Sequence, residues 1–205
     1  MKKKTIALLM ALVLVVGVAV GGTLAYLLDM TAPVVNTFTV GNVDIDLTET
    51  DAETAVDGSM SKSFKMVPGV VLDKDPTVTV LANSEKCYVF VKIDEANNSF
   101  TGANGTTEKY VTYNVADGWT QDNGTDIPNN VWYCTQEASE TDTKLAILAD
   151  NQVTVNSNIT KAMMGALTED TYPKLTFTAY ACQCSKDGTT AFTAAEAWAQ
   201  VNPNA

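Results

Sequence analysis

The feature that most constrains this chain is alternation of side-chain character in short runs. In residues 87–93, Cys87, Val89, Val91 and Ile93 share one parity, while Tyr88, Phe90 and Lys92 share the other. Successive side chains of an extended strand point to opposite faces of a sheet, so the run has an aliphatic face and a second, aromatic face. A helix would scatter the four aliphatic residues around its axis. The same period recurs along the chain. Phe64 and Met66 oppose Ser63 and Lys65 in residues 62–67, ahead of the turn Pro68-Gly69. Residues 77–81 are a short β-branched run, and Val111, Tyr113 and Val115 alternate before Asp117-Gly118. In residues 131–136, Val131 and Tyr133 oppose Trp132 and Cys134. Leu145, Ile147 and Leu148 form a small apolar patch, and Val153 and Val155 mark a short strand. After Pro173, residues Leu175, Phe177, Ala179 and Ala181 face one way.

Polar, turn-rich text separates these runs at residues 48–61, 95–108 and 117–130, and reads as loops. Two stretches differ in kind. Residues 160–167 have the length of a two-turn helix. Thr193 and Glu196 form a capping box, with Ala194, Trp198 and Val201 following at helical spacing until Asn202-Pro203. Trp198 is expected to dock that helix on the sheet. Seven or eight short strands with one or two small helices predict an all-β fold, an antiparallel β-sandwich.

The beginning of the chain predicts export. Lys2, Lys3 and Lys4 precede an almost continuous apolar run over residues 6–20, and Thr23-Leu24-Ala25 places small residues at −3 and −1. These are the three regions of a secretory signal peptide, residues 1–25, cut by a signal peptidase between Ala25 and Tyr26. The uncharged stretch from Lys4 to Asp29 is also long enough to span a bilayer as an uncleaved anchor. Gly21-Gly22 and the small Ala25 favour cutting, so no stable membrane anchor is expected after cleavage. Residues 26–205 are then a single secreted domain. Its first strand is expected over residues 37–47, where Phe38 and Val40 lie in one parity and Val43, Ile45 and Leu47 in the other. A bulge at Gly41-Asn42 would bring all five to one face.

Composition excludes several activities. The chain has no His, which removes HExxH zinc sites, Ser-His-Asp and Cys-His nucleophile systems, and every imidazole proton transfer. It has no Arg, and its formal charge is −11. Without the three leader lysines, ten bases face 24 acids, so the mature domain is more acidic still. Nucleic acid and anionic membrane surfaces are repelled by such a domain. Asp44/Asp46, Asp73/Asp75 and the loops around Asp122 and Asp126 lack the full spacing of a calcium loop, and Asp44 and Asp46 fit the solvent face of the first strand. No metal or cofactor is expected, and no pair among the acids stands out for glycosidase chemistry.

Four cysteines, Cys87, Cys134, Cys182 and Cys184, follow the leader. In an exported chain they allow disulfides or buried thiols. Cys182 and Cys184 are two strand steps apart, too far for an easy mutual bridge. Any bridge is therefore expected from Cys134 to Cys182 or Cys184, with Cys87 a buried thiol on its aliphatic face.

The KKK start, the end of the apolar run GGTLAYLLD (residues 21–29) and NTFTVGNVDIDL (residues 36–47) resemble the exported proteins of Gram-positive bacteria that include TasA and camelysin, processed by a SipW-type signal peptidase. Weaker echoes are PGVVLDKDPTV, YVFVKI and KLTFTAYA. The resemblance implies a jelly-roll-like sandwich in a secreted subunit of an extracellular or biofilm matrix. It also implies self-association into fibres by donation of the mature N-terminal strand. By position the donor is residues 26–37, with Tyr26, Leu27, Leu28, Val34 and Val35 as its assembly residues. The peptidase activity attributed to camelysin is not carried over, because no zinc site can be built without His. Other readings stand beside this one: a monomeric cell-surface module binding through the loops at 95–108 and 117–130 and, ranked below it, a camelysin-like peptidase or a carboxylate-dependent hydrolase.

Overall fold

The computed structural model describes residues 41–54, 58–122, 124 and 126–202. The expected cleavage site and donor residues, and residues 37–40 of the expected first strand, lie outside this range. Fourteen strands are formed among the described residues. These are β1 (Ile45–Thr48), β2 (Glu53–Thr54), β3 (Met60–Ser61), β4 (Val71–Asp73), β5 (Thr77–Val80), β6 (Cys87–Ala96) and β7 (Phe100–Thr101), followed by β8 (Thr107–Glu108), β9 (Val111–Thr112), β10 (Thr120–Gln121), β11 (Val131–Gln136), β12 (Thr143–Ala146), β13 (Gln152–Val155) and β14 (Lys174–Gln183). Two α-helices, α1 (Lys161–Gly165) and α2 (Ala194–Val201), and a short 3-10 turn at Ala149–Asn151 complete the regular structure among the described residues. Neither α-helix is long and apolar enough to cross a membrane.

All pairings are antiparallel. A four-stranded sheet runs β10-β11-β6-β14, and two three-stranded sheets run β1-β5-β12 and β4-β13-β9. The parity of β6 decides how they pack. Its aliphatic side, Cys87, Val89, Val91 and Ile93, is fully buried against Val78 and Val80 of β5, Val153 of β13 and the Ile147-Leu148 patch. Its aromatic side packs on Tyr133 of β11, Tyr180 of β14 and Trp198 of α2. One strand therefore serves two cores, as the alternation requires. Trp198 is 1% exposed, 5.4 Å from the Phe90 ring and 5.3 Å from the perpendicular Tyr180 ring. Thr193 and Glu196 cap each other's backbone at the start of α2, as expected.

The antiparallel all-β class with short helices is present, while the jelly-roll order stays an expectation from the resemblance. Several local expectations are corrected. Residues 62–67 alternate in burial but have no ladder partner among the described residues, so they form an extended segment and not a strand. Residues 41–44 form no strand either; Asn42 accepts from the Glu85 amide at 2.8 Å, and the ladder begins at Ile45. The loops at 48–61 and 95–108 each contain a two-residue hairpin, β2–β3 and β7–β8. Beyond β9, only a single bridge from Val115 to Leu148 continues the alternation. At the turn before β4, Gly69 adopts φ +78, and the Val70 amide closes onto Val67 at 3.1 Å. A side chain there would be strained, which is why the turn uses glycine.

Candidate functional site

β14 ends the four-stranded sheet. Along an antiparallel strand, alternate residues aim N–H and C=O at one neighbour and then the other. The Ile93 amide donates to Asn130, on the β11 side, and the Cys184 amide donates to Lys86. Odd residues of β6 therefore bond toward β11 and even residues toward β14. Phe177 stands opposite Ile93, and Thr176 opposite Asp94. The outward amides of β14 thus belong to Leu175, Phe177, Ala179 and Ala181. Apart from β6, β14 has no ladder partner among the described residues.

At residues 174–177 this edge opens on a groove of about 750 Å³. The facing wall is the extended segment that includes Phe64 and Met66, and Leu47, Leu72 and Val153 contribute apolar lining. Met60 and Tyr172 at the rim are 41% and 48% exposed, unusual for large apolar side chains. Lys62, Lys65, Lys74 and Lys174 also line it, a local cluster of cations on an acidic protein.

A buried ion pair sits in this groove. Lys74 Nζ is 2.8 Å from Glu49 Oε2, and the two side chains are 9% and 13% exposed. The ammonium also lies over the Phe64 and Phe177 rings, 5.2 and 5.1 Å from their centroids. Glu49 Oε1 is buried and has no hydrogen-bond partner among the described residues. Buried polar atoms are ordinarily satisfied, so this oxygen is an acceptor open to a donor. An extended peptide matches this groove: its edge amides can donate to Glu49 and pair along β14, and an apolar side chain at every second residue can enter the apolar lining.

The sequence left disulfides and free thiols both open; in the structure all four cysteines are free thiols. Cys134 lies opposite Val89 on the inner face, and Cys182 lies opposite Tyr88 on the outer face. β6 separates their strands, which puts them about 9.5 Å apart by strand spacing alone, beyond the roughly 4.4–6.8 Å that a disulfide spans. Cys184 lies past the end of β14, farther from Cys134. Sequence spacing contained neither the strand order nor the face. Cys87 is buried as expected, and burial, reinforced by Cys184, Cys134 and Cys182 nearby, pushes its thiol up to about 11. Burial also raises Cys134, Cys182 and Cys184.

Among the described residues, no group of three His, Cys, Asp or Glu side chains is placed to hold a metal ion. Asp44 and Asp46 are exposed on β1 and its approach. Asp75 accepts from Thr50, whose hydrogen bonds hold its carboxyl below the usual range. The groove and the free edge are the site residues that sequence reasoning missed. The apolar rim residues Met60 and Tyr172 were visible, but nothing local marks them as neighbours.

No protein-family model, curated protein or solved structure matches this chain.

Proposed function

We propose that this protein is a secreted structural subunit of an extracellular matrix that assembles by strand exchange. Residues 26–37 of one copy, carrying Leu27, Leu28, Val34 and Val35, add along the outer edge of β14 in another copy. The observation that carries this reading is the coincidence of outward amides at Leu175 and Phe177, which have no backbone partner among the described residues, with an apolar groove beside them. An exposed strand edge is a template for a further strand. Full burial of one Leu or Val contributes about 1.5–3 kcal/mol, so alternate apolar anchors in the groove supply affinity that the backbone ladder alone does not. The sequence resemblance to TasA-like exported proteins supports the same assembly. The protein's chemistry in this reading is association, with no catalytic step, and its location is the extracellular matrix or the cell surface.

Deleting residues 26–35 tests the proposal. The truncated protein is expected to fold as a soluble monomer, since residues from Val43 onward build a large buried core. A free peptide of residues 26–37 is expected to block polymerisation of the mature protein. Continued polymerisation of the truncated protein refutes strand exchange. Unfolding of the truncated protein would place the segment within its own molecule.

A further inference from the structure

We propose that a second cavity, formed where the loops at 95–108 and 117–130 return to the sheet, binds a neutral oligosaccharide. This inference does not depend on assembly. The cavity measures about 710 Å³, within the range of small-molecule sites. Trp132 of β11 and Tyr113, the residue directly after β9, line it, and both are half-buried. Half-buried rings offer an apolar surface with a polar end, suited to the C–H face of a pyranose.

The polar groups are arranged for hydroxyls. Glu95 Oε1 accepts from Lys109 Nζ at 2.7 Å and from the Tyr113 hydroxyl at 2.8 Å, while Oε2 accepts from Asn98 at 2.8 Å. Asp94 Oδ1 accepts from Asn130 Nδ2 at 2.8 Å, and Oδ2 pairs with Lys92 at 3.0 Å. Both carboxylates are held in place and matched with a cation, yet a carboxylate has about four lone-pair positions and retains capacity for further donors. Asn114 and Asn129 also line the cavity, are exposed, and form no side-chain hydrogen bond among the described residues. A primary amide offers a donor and an acceptor side by side, which matches two adjacent hydroxyls. Rings to stack on, oriented acceptors and unused amides together select a polyhydroxylated ligand. The chain's charge of −11 selects against acidic sugars.

The test is titration of the ¹⁵N-labelled mature protein with cellohexaose, laminarihexaose and maltohexaose. Saturable shifts of the Trp132 indole and of the Asn114 and Asn129 side-chain amides are expected with at least one of them. The Asn114→Ala/Asn129→Ala double variant removes two exposed side chains, so it keeps the fold and weakens binding at least about tenfold. A control, Lys62→Ala in the other groove, leaves binding unchanged. The proposal is overturned if no glycan gives a saturable shift at about 10 mM. It is equally overturned if the shifts map away from Trp132, or if the double variant binds as the parent does.

Discussion

Replacing Lys74 with methionine removes one half of a charge pair that the fold has taken out of water. The two side chains are 9% and 13% exposed, so solvent screens them little. In Lys74→Met, Glu49 loses the 2.8 Å contact to Oε2, and Oε1 still has no partner among the described residues. Breaking a buried pair from one side costs about 3–5 kcal/mol. Loss of the contacts with Phe64 and Phe177 adds about 0.5–2 kcal/mol, offset in part by the methionine's own packing. Lys74→Met is therefore expected to destabilise the monomer by about 3–5 kcal/mol, as is Glu49→Leu, which strands the ammonium. The double variant Lys74→Met/Glu49→Leu carries no charge to strand and is expected to fall near the parent or above it, a coupling of at least about 3 kcal/mol. Urea unfolding of the protein lacking residues 26–35, followed by tryptophan fluorescence, measures all four stabilities. A loss below about 1 kcal/mol in Lys74→Met would mean the pair behaves as a surface salt bridge. Additive losses in the double variant would refute the argument altogether.

Three further outcomes follow from individual residues. Lys186, with the Thr193 amide, lowers the Glu196 carboxyl from its ordinary 4.5 to about 2. Because the folded value is the lower one, its contribution is complete above pH 4.5 and is lost as pH falls towards about 2; Glu196→Gln is expected to remove that part of the acid dependence of Tm. Cys87, with its thiol pushed up to about 11, is expected to be the last cysteine alkylated at neutral pH, and peptide mapping without reductant is expected to show no Cys134–Cys182 link. N-terminal sequencing of the secreted protein is expected to begin at Tyr26, and a form retaining Met1 would contradict the signal-peptide reading.

Periodicity made the strands legible wherever both faces are buried. Residues 87–93 and 131–136 have the facial assignments that their alternation predicts, because each parity meets a different core. The α2 cap was legible because a capping box is a local arrangement. Residues 62–67 show the limit: their alternation reflects one buried side, and a strand also needs a neighbour for its amides, which no local pattern reveals. The same limit hid the cysteine geometry, since β6 comes between β11 and β14 only in the sheet order. It also hid both cavities. Lys74, Glu49 and Phe177 are distant in sequence and meet only through the tertiary fold.

The claim that β14 is an acceptor edge is tested most directly by amide hydrogen exchange at residues 174–177, compared between monomer and assembled protein. The register aims the Leu175 and Phe177 amides outward, while the Thr176 amide is bonded to β6. In the monomer, Leu175 and Phe177 are expected to exchange fast and Thr176 slowly; on assembly, Leu175 and Phe177 become protected while Thr176 hardly changes. Fast exchange at Leu175 and Phe177 in the assembled protein, or protection of both already in the monomer lacking residues 26–35, would contradict strand addition at this edge.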